Sequence, residues 1–67
     1  MIQERVGKRI KELRAKLDIS QEELAFRSNV HRTYIASLEV GTRNVSIVTL
    51  EKIVVALGVS LSEFFNF

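Results

Sequence analysis

The stretch Ser20-Gln21-Glu22-Glu23-Leu24-Ala25-Phe26-Arg27-Ser28-Asn29-Val30-His31-Arg32-Thr33-Tyr34-Ile35-Ala36-Ser37-Leu38-Glu39 decides how this chain folds. It opens on Ser20 with Glu23 three residues on, a capping box in which each side chain meets the other residue's free backbone N–H. Ile19 and Leu24 flank that box as a hydrophobic staple. The spacing predicts a helix over about 20–28. A second follows over about 31–39, with Ile35 and Leu38 facing inward and Val30 closing the turn below them. Only Asn29-Val30 separates the two, and Asn tolerates the left-handed conformation better than most residues. So short a link holds the helices at a large angle, the geometry of a helix-turn-helix.

Upstream, Val6, Ile10, Leu13 and Leu17 form one apolar stripe, predicting a helix over about 3–17. Lys8, Arg9, Lys11, Glu12 and Lys16 fall on its wet side, and Gly7 weakens the first turn by up to about 1 kcal/mol relative to Ala. Downstream, Ser46 caps a helix over about 46–57, with Val45 and Leu50 as staple. Ser60 and Glu63 repeat the full box ahead of a last helix over about 60–65, stapled by Val59 and Phe64. Gly41 and Gly58 stand where a residue of positive φ ends a helix. There is no Pro, and little β-branched alternation before residue 45. The expected fold is all-α, with five helices in one domain spanning 1–67.

Sixty-seven residues bury only about 60% of their unfolded surface, so a lone copy is marginal. Disulfides, metals and oligomerisation are the usual remedies. With no Cys and a single His, neither a disulfide nor a zinc site can be built, which leaves tight helix packing or a partner subunit. No cofactor or small-molecule ligand is expected. No nucleophile–base–acid set and no phosphate-binding glycine loop is present, which argues against an enzyme. No apolar run approaches the roughly 20 residues of a membrane span, and MIQERVGKRI has no secretory signal, so a cytoplasmic protein is expected. The net charge of +2 is unevenly spread. Residues 1–43 hold nine Lys/Arg against six Asp/Glu, and residues 44–67 one against two. A basic front half suits a polyanion, and an apolar back half suits protein.

The third helix supplies the chemistry. Arg32, Thr33, Ser37 and partly Tyr34 project from the face opposite Ile35 and Leu38. A major groove about 12 Å wide admits a helix, Arg can grip guanine O6 and N7 with both arms of its fork, and the Thr methyl suits a thymine methyl.

These residues resemble a known family. The pattern Gln21, Leu24-Ala25, Ile35, Leu38-Glu39 and Gly41, complete in its spacing, is similar to Cro/repressor-type helix-turn-helix regulators, the xenobiotic-response-element family, over Val6 to Phe65. Within it, His31-Arg32-Thr33-Tyr34-Ile35, Arg43-Asn44-Val45-Ser46 and Phe64-Phe65 resemble controller proteins of restriction–modification systems. The resemblance implies a lambda-repressor-like domain that binds double-stranded DNA and regulates transcription. It implies base contacts from Arg32, Thr33 and Ser37, and a backbone or adjacent-base contact from Tyr34. Gln21 would bind a phosphate, and Thr42, Arg43 and Asn44 would lie along the same strand. His31 is read as a helix cap or phosphate contact rather than a pH switch. The resemblance also pairs Arg14 internally with Glu39. Glu22 matches a position that touches RNA polymerase in some activators, although an acidic first turn is also ordinary helix chemistry. Phe26 lies off the Leu24/Ala25 face, and no role is assigned to it. Antitoxins and phage repressors share this fold. A protein-interaction module without DNA contacts would carry acidic or apolar residues at Arg32, Thr33 and Arg43, and this chain does not.

The fourth helix is more apolar than one stripe needs. Ile47, Leu50, Ile53, Val54 and Leu57 fill a core-facing arc, and Val48 and Val55 fall outside it. Leu61, Phe64, Phe65 and Phe67 add a cluster that so small a chain cannot bury. Val48, Val55, Leu61, Phe64, Phe65 and Phe67 are therefore expected to form a two-fold homodimer interface. Two recognition helices would then stand about 34 Å apart, one turn of DNA, on a palindromic operator.

Overall fold

The computed structural model describes residues 1–67 as five helices and no strand. They are α1 (Ile2–Lys16), α2 (Gln21–Ser28), α3 (Arg32–Glu39), α4 (Ile47–Ala56) and α5 (Leu61–Phe64). All five expected helices form, with ends within about two residues of those the sequence predicts.

Three helix starts carry the expected serine caps. Ser20 Oγ accepts from Glu23 N at 3.0 Å, Ser46 Oγ from Thr49 N at 3.1 Å, and Ser60 Oγ from Glu63 N at 3.0 Å. The reciprocal half of the box closes only at Ser60, whose N donates to Glu63 Oε1 at 3.2 Å. At Ser20 the expectation is corrected. The Glu23 carboxylate turns forward instead, and Arg27 Nε donates to it at 2.7 Å from one turn on, a competing pair at i,i+4. Asn29 ends α2 in the left-handed region, at φ 56° and ψ 41°. Val30 N then bonds back to Ala25 O at 3.1 Å, which closes the tight corner before α3.

The core runs through all five helices. Ile10 of α1, Leu24 of α2, Ile35 of α3, Ile53 of α4 and Phe64 of α5 are each shut off from solvent. Three expectations about packing are corrected. Leu17 lies past the end of α1 as its C-cap and is exposed rather than completing the stripe. Ile47, assigned to the buried arc, is 83% exposed at the first position of α4. Phe64, assigned to the dimer surface, is fully buried and belongs to the monomer's own core. A four-residue helix shows no periodicity from which its inner position could be read.

Gly7 is no mere weak point in α1. It is buried, and a Cβ there would lie 2.0 Å from the backbone oxygen of Leu38. Gly41, at φ +79°, is also close to α1: a Cβ there would meet Glu4 Cγ at 2.9 Å. Glycine at both points lets the N-terminal half of α1 lie flush against the end of α3.

Arg9, expected on the wet face of α1, is partly buried as a clamp. Its Nε donates to Phe64 O at 2.9 Å and its Nη2 to Glu63 O at 2.7 Å, with Nη1 held by Glu12. These bonds satisfy carbonyls at the end of α5 that have no helical partner. Arg5 reaches Phe67 O at 3.3 Å with its guanidinium over the Phe67 ring.

Candidate DNA-binding surface

α3 buries Ile35 and Leu38 and turns its first residues outward. His31, Arg32 and Thr33 are all exposed at its N-terminal end. His31 occupies the N-cap position without a side-chain capping bond, so its ring is free for an outside partner. Arg32 Nη1 stands 3.9 Å from Glu22 Oε2 on α2, with both side chains largely in solvent. An exposed pair at this separation holds the guanidinium weakly and leaves it free to exchange partners.

Further along α3 the geometry is tighter. Ser37 Oγ donates to Tyr34 O at 2.8 Å and accepts from Arg43 Nε at 2.9 Å. Its hydroxyl is thus engaged at both ends, and it positions Arg43. The Arg43 guanidinium lies 4.7 Å from the centre of the Tyr34 ring, a cation–π distance. Tyr34 Oη donates to Asn44 O at 3.2 Å, and Thr42 Oγ1 donates to Ser37 O at 3.2 Å. Arg43 therefore lies over α3 itself, with neither Nη atom engaged in an internal hydrogen bond. Arg43, expected along the phosphate strand, also stacks on Tyr34, a pairing that local sequence patterns do not show because the two residues are nine apart across a loop.

Behind this edge lies a charged anchor. Arg14 Nε and Nη2 donate to the two oxygens of Glu39 at 2.8 and 3.0 Å, and Nη1 donates to Ile19 O at 2.9 Å. The hydrogen bond to Glu39 raises the Arg14 pKa above its ordinary value, although partial burial works against it. The pair expected from the resemblance is present, and it ties α1 to the end of α3. Gln21 Nε2 joins it, donating to Glu39 Oε1 at 3.1 Å. That commits one N–H of the amide expected on a phosphate and leaves the second.

The other expected surface is apolar. Val48 and Val55 on α4 are 66% and 70% exposed, and Leu61, Phe65 and Phe67 are each more than two-fifths exposed. Phe65 and Phe67 stack with ring centres 6.0 Å apart. Phe64 drops out of this set, and Ile47 joins the exposed apolar residues. Phe26 is also bare, at 83%.

A short helix presented at a sharp corner, with an arginine and a threonine at its free end, defines a helix-turn-helix protein. The chain belongs to the helix-turn-helix family, whose model matches residues 10–64. Among its relatives is the control protein C.MunI of a Mycoplasma species, 51% identical over an alignment of 63 residues, with 92% of this chain and 85% of that one covered. The crystal structure of the restriction–modification controller protein C.AhdI from Aeromonas hydrophila superposes with a TM-score of 0.90 at 41% identity, covering 94% of this chain and 96% of that one. The controller protein C.Esp1396I, solved as a tetramer in complex with its natural 35 base-pair operator, superposes with a TM-score of 0.93 at 39% identity, covering 98% and 87%. No helix of this chain is long and apolar enough to cross a membrane.

Proposed function

We propose that this chain is a sequence-specific transcription regulator of the controller type. It binds, as a two-fold homodimer, a palindromic or near-palindromic operator in the promoter of its own restriction–modification operon. The observation that carries this reading is the outer edge of α3, where Arg32 and Thr33 stand free at the corner while Arg43 is laid over the same helix by Ser37 and Tyr34. Arg32 reads a guanine through its fork, and Thr33 packs on a neighbouring base. Tyr34 and Arg43 act together at the middle of the edge. His31, the free N–H of Gln21, Thr42 and Asn44 contact phosphates and fix register without reading sequence.

The apolar face of Val48, Val55, Leu61, Phe65 and Phe67 supplies the second copy. So small a chain gains stability by covering such a face, and pairing sets two reading edges about 34 Å apart. The controller relatives, one of them solved on its operator, support this reading over that of an antitoxin or phage repressor. The test is titration of the purified protein into a duplex of the region upstream of its own coding sequence, at low ionic strength. A saturable complex with two protomers per symmetric site is expected. No complex under those conditions overturns the proposal.

A further inference from the structure

The loop between α3 and α4, residues 40–46, carries three of the residues assigned to DNA. α3 holds its near end: Gly41 N donates to Leu38 O at 3.0 Å, and Thr42 N to Ser37 O at 3.2 Å. Beyond Arg43 the attachments thin out. Asn44 has two: its backbone oxygen accepts from Tyr34, and its side-chain Oδ1 accepts from Gln3 Nε2 at 2.7 Å. The bond from Gln3 spans 41 residues, and it is the one side-chain hydrogen bond that reaches residues 40–45 from outside α3.

The other end of the same amide makes Gln3 unusual. Its Oε1 is buried, and no donor of the protein reaches it. The side chain lies in a cleft of about 330 Å³ with apolar walls that include Ile2, Val6, Leu38, Val45 and Phe65. A buried acceptor without a partner destabilises a fold, and an apolar side chain of the same length would fit those walls better. Folding alone therefore does not account for an amide here. The donor half faces the loop, and that half has a use.

Resting on the reading of the α3 edge given above, we infer that Gln3 is a positioning residue for DNA recognition. It braces Asn44 from α1, which holds the Tyr34 hydroxyl and, through the Tyr34 ring, the guanidinium of Arg43. The close approach of α1 to Leu38 and Gly41, open only to glycine at positions 7 and 41, brings Gln3 within reach. Gln3 itself touches no DNA. Its contribution is to order the loop before binding, so that less freedom is lost when the duplex arrives.

The test uses the full chain and a duplex selected by the wild-type protein from a randomised pool. Gln3→Met keeps the length and apolar fit of the side chain and removes both amide atoms. Its melting temperature is expected to equal or exceed that of the wild type, while affinity for the selected duplex falls about fivefold, the worth of one ordinary hydrogen bond. In an Arg43→Ala background the same change is expected to cost clearly less affinity, because Arg43 is gone and only Asn44 and Tyr34 remain to be held. A merely structural role would lower the melting temperature and weaken both backgrounds equally. Gln3→Met that binds as the wild type does, or that weakens both backgrounds alike, overturns the inference. Arg43→Ala that binds as the wild type does would instead remove the underlying reading of the loop.

Discussion

The outer edge of α3 and the outer face of α4 and the C-terminal segment are left bare by the same core, yet they are built in opposite ways. The α3 edge is polar and short; Arg32 and Thr33 stand free at its corner, and beyond them its residues are fastened to one another: Ser37 to Arg43, Arg43 to Tyr34, Tyr34 to Asn44. The α4 side is apolar, and its side chains make no hydrogen bonds; the Arg5 guanidinium lies over the Phe67 ring at its margin. That side is held from beneath, where Arg9 grips the end of α5. The difference follows from what each surface meets. A loop that must meet a duplex alongside α3 gains from fixed directions, whereas an apolar face needs area and shape.

The largest effects should come from breaking what both surfaces share. Glu39→Ala leaves the Arg14 guanidinium partly buried without its carboxylate and should lower stability by about 3–5 kcal/mol, read by chemical denaturation. Phe64→Ala should cost a similar 3–5 kcal/mol, because it empties the centre of the core. Phe65→Ala should change folding stability by less than about 1 kcal/mol and instead weaken self-association, measured by analytical ultracentrifugation. Equal destabilisation by the two would mean that the C-terminal aromatics form one buried unit.

Val55→Glu sets a charge on the apolar face and should weaken pairing by about 2 kcal/mol or more while the monomer stays folded by circular dichroism. Operator affinity should drop with it, since one protomer carries only half of the contacts. A variant that still sediments as a pair would move the interface elsewhere. Smallest of all is the salt response. Arg43→Ala should reduce the slope of log affinity against log salt by about one unit, as loss of one phosphate contact does; an unchanged slope would make Arg43 a reader of bases alone.

What could be read in advance sorts by range along the chain. The serine caps, the left-handed Asn29 and the two glycine stops were legible because each depends on residues within one turn. The Arg14–Glu39 pair lies 25 residues apart and was accessible only through the family resemblance. Contacts set by packing were hidden. Gly7 reads locally as a poor helix residue, and only the approach of Leu38 shows why nothing larger fits. Ile47 shares the angular arc of the core residues, yet it stands at the exposed first position of its helix. Of the candidate site, the exposed edge was legible as a polar helical face. Its bracing was not, because the bonds from Ser37, Tyr34 and Gln3 all converge on a loop without periodicity.

The most direct test is the discrimination of Arg32→Ala. Its affinity should be compared with that of the wild type, at one fixed salt concentration, for the selected duplex and for a copy altered at each base pair of one half-site in turn. Arg32→Ala should lose about 1–3 kcal/mol on the selected duplex and become indifferent to the base at one guanine position, while the other positions keep their ranking. An unchanged affinity with full discrimination at every position would contradict this role for Arg32.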